Sequence, residues 1–115
     1  MTVTLWHNPR CSKSRQTLAL LEERGISPTV RHYLDDAPDA EEIRAALAAL
    51  GFEDPRKLMR TKEAVYRDLG LTSETDPDAL VAAMAAHPVL IERPVVFAQG
   101  KAALGRPPEA VLAIL

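Results

Sequence analysis

The sequence predicts an α/β domain in which a mixed sheet is built in the order β-α-β, helical insertion, β-β-α. Three observations lead to this prediction. Short runs of β-branched and apolar residues lie near both ends of the chain, and the middle is rich in alanine and leucine with helix-capping signals. Prolines and glycines separate these segments. Because 115 residues without a flexible linker suit one compact core, residues 1–115 are predicted to form a single domain.

The first third of the chain is predicted to form a β-α-β unit. Residues 2–6 alternate β-branched and apolar side chains, residues 14–24 have helical character and end at Gly25, and residues 29–34 form a second strand. A right-handed crossover makes the two strands parallel neighbours. Cys11 is therefore predicted at the carboxyl end of the first strand and at the N-terminus of the helix.

Helix start signals recur between about residues 39 and 87, which predicts a helical insertion. Asp39 with Glu42 three residues later is typical of a capping box. Further short helices are predicted to begin near Asp54, Thr61 and Asp76, two of which precede a proline suited to the first helical turn.

The last third predicts a β-hairpin and a final helix. Residues 95–98 and 101–104 flank Gln99-Gly100, which suits a tight turn, and Pro107-Pro108 opens the helix. The complete order is that of a thioredoxin-like fold with extra helices, and other small α/β sandwiches share this outline.

Composition excludes several classes of protein. Lysine and arginine number 14 against 16 acidic residues, so a net charge of −2 gives no general basic field for nucleic acid. The apolar N-terminal stretch is broken by His7 and Asn8, so neither a signal peptide nor a membrane span is expected there. The lone cysteine, Cys11, cannot form an intramolecular disulfide. A soluble, cytoplasmic protein is expected.

Cys11 is interpreted as a reactive thiol rather than a packing residue. A helix N-terminus favours the thiolate, which is the nucleophilic form. Nearby cations and hydroxyl groups would stabilise the same anion. The residues within four positions that carry such groups are His7, Arg10, Ser12, Lys13, Ser14 and Arg15.

Common cysteine motifs do not fit the spacing. A phosphatase loop of the Cys-X5-Arg type would need arginine where Thr17 stands, and a Cys-X-X-Cys redox centre would need cysteine where Ser14 stands. A redox cycle at Cys11 must therefore take its second thiol from another molecule. Zinc is not expected, because one cysteine and three widely spaced histidines match no common ligand pattern, and His32 and His87 are interpreted as structural.

Three arginines are candidates for an anion site. Arg93-Pro94 precedes a predicted strand, and a thioredoxin-like fold would bring Arg93 beside Cys11. Arg60 and Arg106 are further candidates, since a guanidinium fork binds a tetrahedral oxyanion through two parallel hydrogen bonds. Spacing alone does not select these three from the other arginines.

Four segments together carry a resemblance to a known family. The chain resembles the ArsC family of glutaredoxin-linked arsenate reductases over nearly its whole length, and it is most similar to the short YfgD-like branch. The segments are His7 to Arg15, Leu58-Met59-Arg60, Glu92 to Val96 and Gly105 to Glu109.

The resemblance implies a thioredoxin-like fold and a role for each matching residue. It implies that Cys11 attacks arsenate and forms a thiol-arsenate adduct, that His7 helps to lower the thiol pKa, and that Ser14 lies near the sulfur. The arginines that it implies as ligands of the oxyanion are Arg60, Arg93 and Arg106. Glutathione as co-substrate and glutaredoxin as partner would complete the cycle, with no bound cofactor and no metal.

Two other functions stay open at this point. A redox regulatory protein similar to the Spx transcription regulators would share the fold, but those proteins usually carry Cys-X-X-Cys, and Ser14 removes it here. A general monothiol oxidoreductase acting on another substrate would use Cys11 without needing Arg60 and Arg106 in the cleft.

Overall fold

The computed structural model describes residues 2–115, which fall into two compact units. The first combines the residues up to Asp36 with Arg93–Leu115, and the second is Ala37–Glu92. The second unit starts and ends close to the predicted insertion at about residues 39–87. The prediction that residues 1–115 form a single domain stays a prediction.

The first unit holds the sheet. Its helix α1 spans Ser12–Glu23, and a 3-10 helix spans Pro108–Ile114. Its strands are β1 (Val3–Trp6), β2 (Thr29–Arg31), β3 (Val95–Ala98) and β4 (Lys101–Leu104).

The strand order is β2-β1-β3-β4, so the sheet is mixed. β1 pairs parallel with β2 and antiparallel with β3, and β3 and β4 form the hairpin. Both turn residues, Gln99 and Gly100, have positive φ angles of 55° and 76°, as a tight hairpin turn requires. The β-α-β and β-β-α parts of the prediction are confirmed.

The core of the first unit lies between one face of the sheet, α1 and the C-terminal 3-10 helix. Val3 and Leu5 of β1 alternate with residues of the opposite face and meet Leu21 of α1 and Val111 of the 3-10 helix. Leu5, Leu21 and Val111 are fully buried. This packing holds the N-terminus of α1 at the carboxyl end of β1.

The second unit is helical. Its elements are α2 (Ala40–Leu50), α3 (Ala64–Asp68), α4 (Pro77–Ala86) and 3-10 helices at Pro55–Leu58, Leu71–Ser73 and Pro88–Leu90. The predicted capping box is present, since Glu42 N–H donates to Asp39 at 2.8 Å and the Asp39 N–H donates to Glu42 at 3.2 Å. No helix within residues 2–115 has the length and apolar character needed to cross a bilayer.

Several predicted boundaries were wrong. β2 stops at Arg31 rather than at residue 34, because the amides of Asp35 and Asp36 both donate to the His32 carbonyl and form a turn. α1 begins two residues earlier than predicted, at Ser12. The helix predicted to begin near Thr61 begins at Ala64.

The N-cap of α3 is Glu63. Its side chain forms an ion pair with Arg60 and makes no capping hydrogen bond. The final helix at Pro108–Ile114 has 3-10 rather than α geometry.

Candidate active site

The loop between β1 and α1 places Cys11 at the N-cap of the helix. Cys11 has extended backbone angles, its N–H donates to the Asn8 carbonyl at 3.0 Å, and its own carbonyl accepts from Arg15 N–H at 3.0 Å. Only 7% of the residue is exposed. The sulfur therefore sits beside the unpaired N–H groups that open α1.

Burial and hydrogen bonding act in opposite directions on the Cys11 thiol. Burial raises its pKa, but the backbone N–H of Ser14, the side chain and charge of Arg93, and the backbone N–H of Lys13 lower it. Together they hold the pKa of Cys11 below its ordinary value. The geometry thus stabilises the thiolate, the form that attacks an electrophile.

Ser14 connects the loop to α1 through its hydroxyl group. Its Oγ lies 2.7 Å from His7 Nδ1 and accepts from Asn8 N–H at 3.1 Å. Both Ser14 and His7 are buried. The hydroxyl of Ser14 therefore contacts His7 and Asn8 of the loop, whereas its backbone N–H lowers the pKa of Cys11. From the sequence, the Ser14 hydroxyl itself is expected to contact the sulfur.

His7 has a second imidazole beside it. The ring of exposed His32 meets the His7 ring edge-on, with 5.9 Å between ring centroids. Burial, followed by the charges of His32 and Arg15, lowers the pKa of His7, so His7 is neutral at pH 7. The predicted role of His7 in lowering the thiol pKa stays a prediction, and its direct contact here is to Ser14.

The register between β1 and β2 places His32 beside His7. Trp6 of β1 pairs with Arg31 of parallel β2, so the residues that follow them, His7 and His32, emerge side by side. The contact of His32 with His7 depends on this register, which the sequence alone does not give.

Arg106 lies next to Arg93 in the first unit. Its Nη1 donates to the Arg93 carbonyl at 3.0 Å, and the Arg93-Pro94 and Arg106-Pro107 bonds are both cis. The Gly105 N–H donates to the Pro94 carbonyl at 3.0 Å. A side chain at Gly105 would collide with Thr17 and with the Pro94 ring, so glycine permits this close approach to α1.

Arg60 belongs to the second unit, where carboxylates surround it. Its Nη1 lies 2.9 Å from Glu63 Oε1 and its Nε 3.9 Å from Glu92 Oε1. The Arg60 N–H donates to the Leu90 carbonyl at 2.7 Å, and the Glu92 N–H donates to the Leu58 carbonyl at 2.7 Å. This pairing of two chain segments fixes the base of the Arg60 side chain.

Comparison with known proteins identifies the family. Residues 6–114 match the ArsC family. The chain belongs to the ArsC family. A protein named arsenate reductase from Neisseria meningitidis serogroup A is 51% identical over 114 residues, covering 98% of this chain and 97% of the relative. The uncharacterized protein YfgD of Escherichia coli is also 51% identical over 114 residues, with coverage of 98% and 96%.

Solved structures of ArsC relatives agree with this fold. The arsenate reductase from Vibrio cholerae superposes with a TM-score of 0.97 at 53% identity, covering 100% of this chain and 98% of that one. The predicted resemblance to the YfgD-like branch and the thioredoxin-like fold are confirmed. The roles assigned to individual residues of this ArsC protein stay predictions.

Proposed function

We propose that this ArsC protein is an oxidoreductase that reduces arsenate to arsenite in the cytoplasm, with glutathione as co-substrate and glutaredoxin as partner. The observation that supports it most is the thiolate-stabilising contact of Arg93 with Cys11 at the N-terminus of α1. The names of the relatives from Neisseria meningitidis and Vibrio cholerae point to the same substrate. A reducing compartment keeps a lone thiol available for this chemistry.

In the proposed cycle the Cys11 thiolate attacks arsenic and an arsenate oxygen leaves as water after protonation, which gives a Cys11–S–As(V) adduct. The thiolate of glutathione then attacks Sγ. The S–As bond breaks and its electron pair stays on arsenic, so As(V) becomes As(III) while a Cys11–glutathione disulfide forms. Exchange with glutaredoxin regenerates the Cys11 thiol.

In this scheme the cations near Cys11 reduce the repulsion between arsenate and the thiolate. Arsenate and a thiolate are both anions and repel each other, so guanidinium groups must compensate the two charges during the attack. Arg93 contacts Cys11 and Arg106 binds the Arg93 carbonyl. We assign both to the oxyanion, and Arg60 is the third proposed ligand. Ser14 and His7 position the loop.

The first test is arsenate-dependent NADPH oxidation in an assay coupled to glutathione, glutaredoxin and glutathione reductase. Wild type should turn over and Cys11→Ser should fall to the background rate. Equal rates for the two proteins would overturn the proposal. Turnover of a glutathionylated peptide with no response to arsenate would favour a general monothiol oxidoreductase instead.

The second test addresses the arginines. Arg60→Ala and Arg93→Ala should weaken the response to arsenate more than Arg67→Ala does. Arg67 is a suitable control because its side chain is 81% exposed and its ion pair with Asp68 is long, at 3.9 Å. Equal effects of all three substitutions would contradict the assigned roles.

A further inference from the structure

A cavity of about 350 Å³ opens beside the loop that carries Cys11. One side is formed by the loop residues 7–10, and the other by His32, Leu34 and Asp35 from the turn after β2. Its volume is at the lower end of the range of about 300–1,000 Å³ that small-molecule sites occupy. Its last loop residue, Arg10, directly precedes Cys11 in the chain.

The cavity carries one cation and one anion that have no ion-pair partner within residues 2–115. Neither Arg10 nor Asp35 takes part in an ion pair there, and both are exposed. Two neighbouring charged side chains are held by other groups of the chain, one by an ion pair and one by a hydrogen bond to a backbone carbonyl. Asp36 binds Arg31 at 3.3 Å, and the Arg15 side chain donates to the Pro9 carbonyl at 2.8 Å.

A lining of this kind selects a ligand that bears both charges. A second oxyanion would be attracted by Arg10 but repelled by Asp35. A metal ion is disfavoured, since no three His, Cys, Asp or Glu side chains of residues 2–115 converge as ligands. An amino-acid group suits both side chains, because its carboxylate can bind Arg10 and its ammonium can bind Asp35. Leu34, 42% exposed, offers apolar contact to the hydrocarbon part of the ligand next to these two charged groups.

We propose that this cavity binds the amino-acid end of the peptide thiol that attacks Sγ of Cys11. The inference rests on the proposed function, which requires an external thiol because the chain has a single cysteine. Consecutive Cα atoms are about 3.8 Å apart and an extended tripeptide spans about 10 Å, so a tripeptide thiol held beside Arg10 reaches the next residue. Binding there raises the local concentration of the thiol at the sulfur.

The test uses a disulfide between Cys11 and 5-thio-2-nitrobenzoate and needs no arsenate. An incoming thiolate attacks Sγ, the S–S bond breaks, and the electron pair leaves on the coloured thionitrobenzoate. Rates are compared for four thiols. Glutathione carries both charges, cysteamine only the ammonium, 3-mercaptopropionate only the carboxylate, and 2-mercaptoethanol neither. Dividing by the 2-mercaptoethanol rate removes any change in the intrinsic reactivity of Cys11.

Asp35→Asn should slow glutathione and cysteamine by roughly two- to fivefold, the range expected for one exposed ion pair, and should not slow 3-mercaptopropionate. Arg10→Gln should slow glutathione and 3-mercaptopropionate by a similar factor and should not slow cysteamine. The matched controls are Glu22→Gln and Arg24→Gln, which make the same charge changes at exposed positions of the first unit that do not line the cavity.

Glutathione rates that are unchanged in both cavity variants would overturn the proposal, and so would equal changes in the controls, which would indicate a general charge effect. The result is separable from the proposed function. A protein without arsenate turnover that shows the expected selectivity keeps the thiol site and loses the arsenate assignment. A protein that turns over arsenate without the expected thiol selectivity keeps the arsenate assignment and loses the thiol site.

Discussion

Arg93 and Arg60 were predicted to share one role, yet they meet opposite charges in the structure. The guanidinium group of Arg93 lowers the pKa of the Cys11 thiol. Arg60 lies against the carboxylates of Glu63 and Glu92. The effect of a guanidinium group therefore depends on the charged groups beside it. Arg93 acts on the nucleophile before any substrate arrives, whereas Arg60 must exchange a carboxylate for any oxyanion that it binds.

Backbone pairing explains why Arg93 lies near the Cys11 loop and why Arg60 lies near carboxylates. Arg93 precedes β3, which lies antiparallel to β1, so it emerges near the loop that follows β1. Arg60 follows an antiparallel bridge between Met59 and Ile91, and Glu63 stands three residues further along the chain. The first arrangement concentrates positive charge at a thiol, and the second neutralises it.

Removing Arg93 should have the largest effect. Arg93→Ala eliminates a hydrogen bond and a charge that lower the thiol pKa while burial continues to raise it, so the pKa of Cys11 should rise. Arsenate turnover should fall by about 10²-fold or more, as for loss of one donor at a developing charge. The pH dependence of Cys11 alkylation by iodoacetamide measures the pKa. Arg24→Ala, exposed beyond α1, is the control, and an unchanged pKa in Arg93→Ala would contradict the assigned contact.

Gly105 controls how closely the Arg93 segment approaches α1. In Gly105→Ala the new Cβ would lie 2.6 Å from Pro94 Cγ and still closer to the Thr17 hydroxyl, so unfolding free energy should drop by about 1–3 kcal/mol. The thiol pKa should also rise if Arg93 is displaced. Urea unfolding and alkylation measure the two effects.

A double-mutant cycle isolates the collision at Gly105. Thr17→Ala removes one of the two colliding groups, so the Gly105→Ala/Thr17→Ala protein should be more stable than the sum of the single effects predicts. Additive losses would mean that the collision with Thr17 is not what destabilises Gly105→Ala.

Neutralising Glu63 tests the other half of the comparison. Glu63→Gln should lower the KM for arsenate by roughly two- to fivefold without changing kcat, because the oxyanion no longer competes with a carboxylate 2.9 Å from Arg60. Glu53→Gln, an exposed change in the same unit, should leave KM unchanged. A higher KM in Glu63→Gln would mean that Glu63 positions Arg60 instead of competing for it.

Local signals in the sequence were enough to predict most elements of the fold. The capping box at Asp39, the hairpin turn at Gln99-Gly100 and the place of Cys11 at the start of α1 depend on residues close together in the chain. The early end of β2 was missed because it depends on which amides bind the His32 carbonyl.

The candidate site was predictable to a smaller extent. The sequence shows which cationic and hydroxyl-bearing residues lie near Cys11 in the chain. Which of them contacts the sulfur depends on side-chain rotamers and on residues distant in sequence. Ser14 illustrates this, because its hydroxyl contacts His7 and Asn8, whereas its backbone N–H lowers the pKa of the Cys11 thiol. The pairing of Arg60 with Glu92 likewise requires the register between two separate segments.

The smallest expected effect concerns His7, which supports the loop on the Arg93 side of the comparison. Burial holds the pKa of His7 below 6.5, the value of an unperturbed histidine. As the pH falls below 6.5, the unfolded chain therefore binds a proton at His7 more readily than the folded chain does. The contribution of neutral His7 to stability is complete above pH 6.5 and is lost as the pH falls through the folded pKa. Urea unfolding at pH 7.5 and 5.5 should therefore show a smaller loss of stability in His7→Gln than in wild type. Identical losses would mean that His7 is as easily protonated in the folded protein as in the unfolded chain.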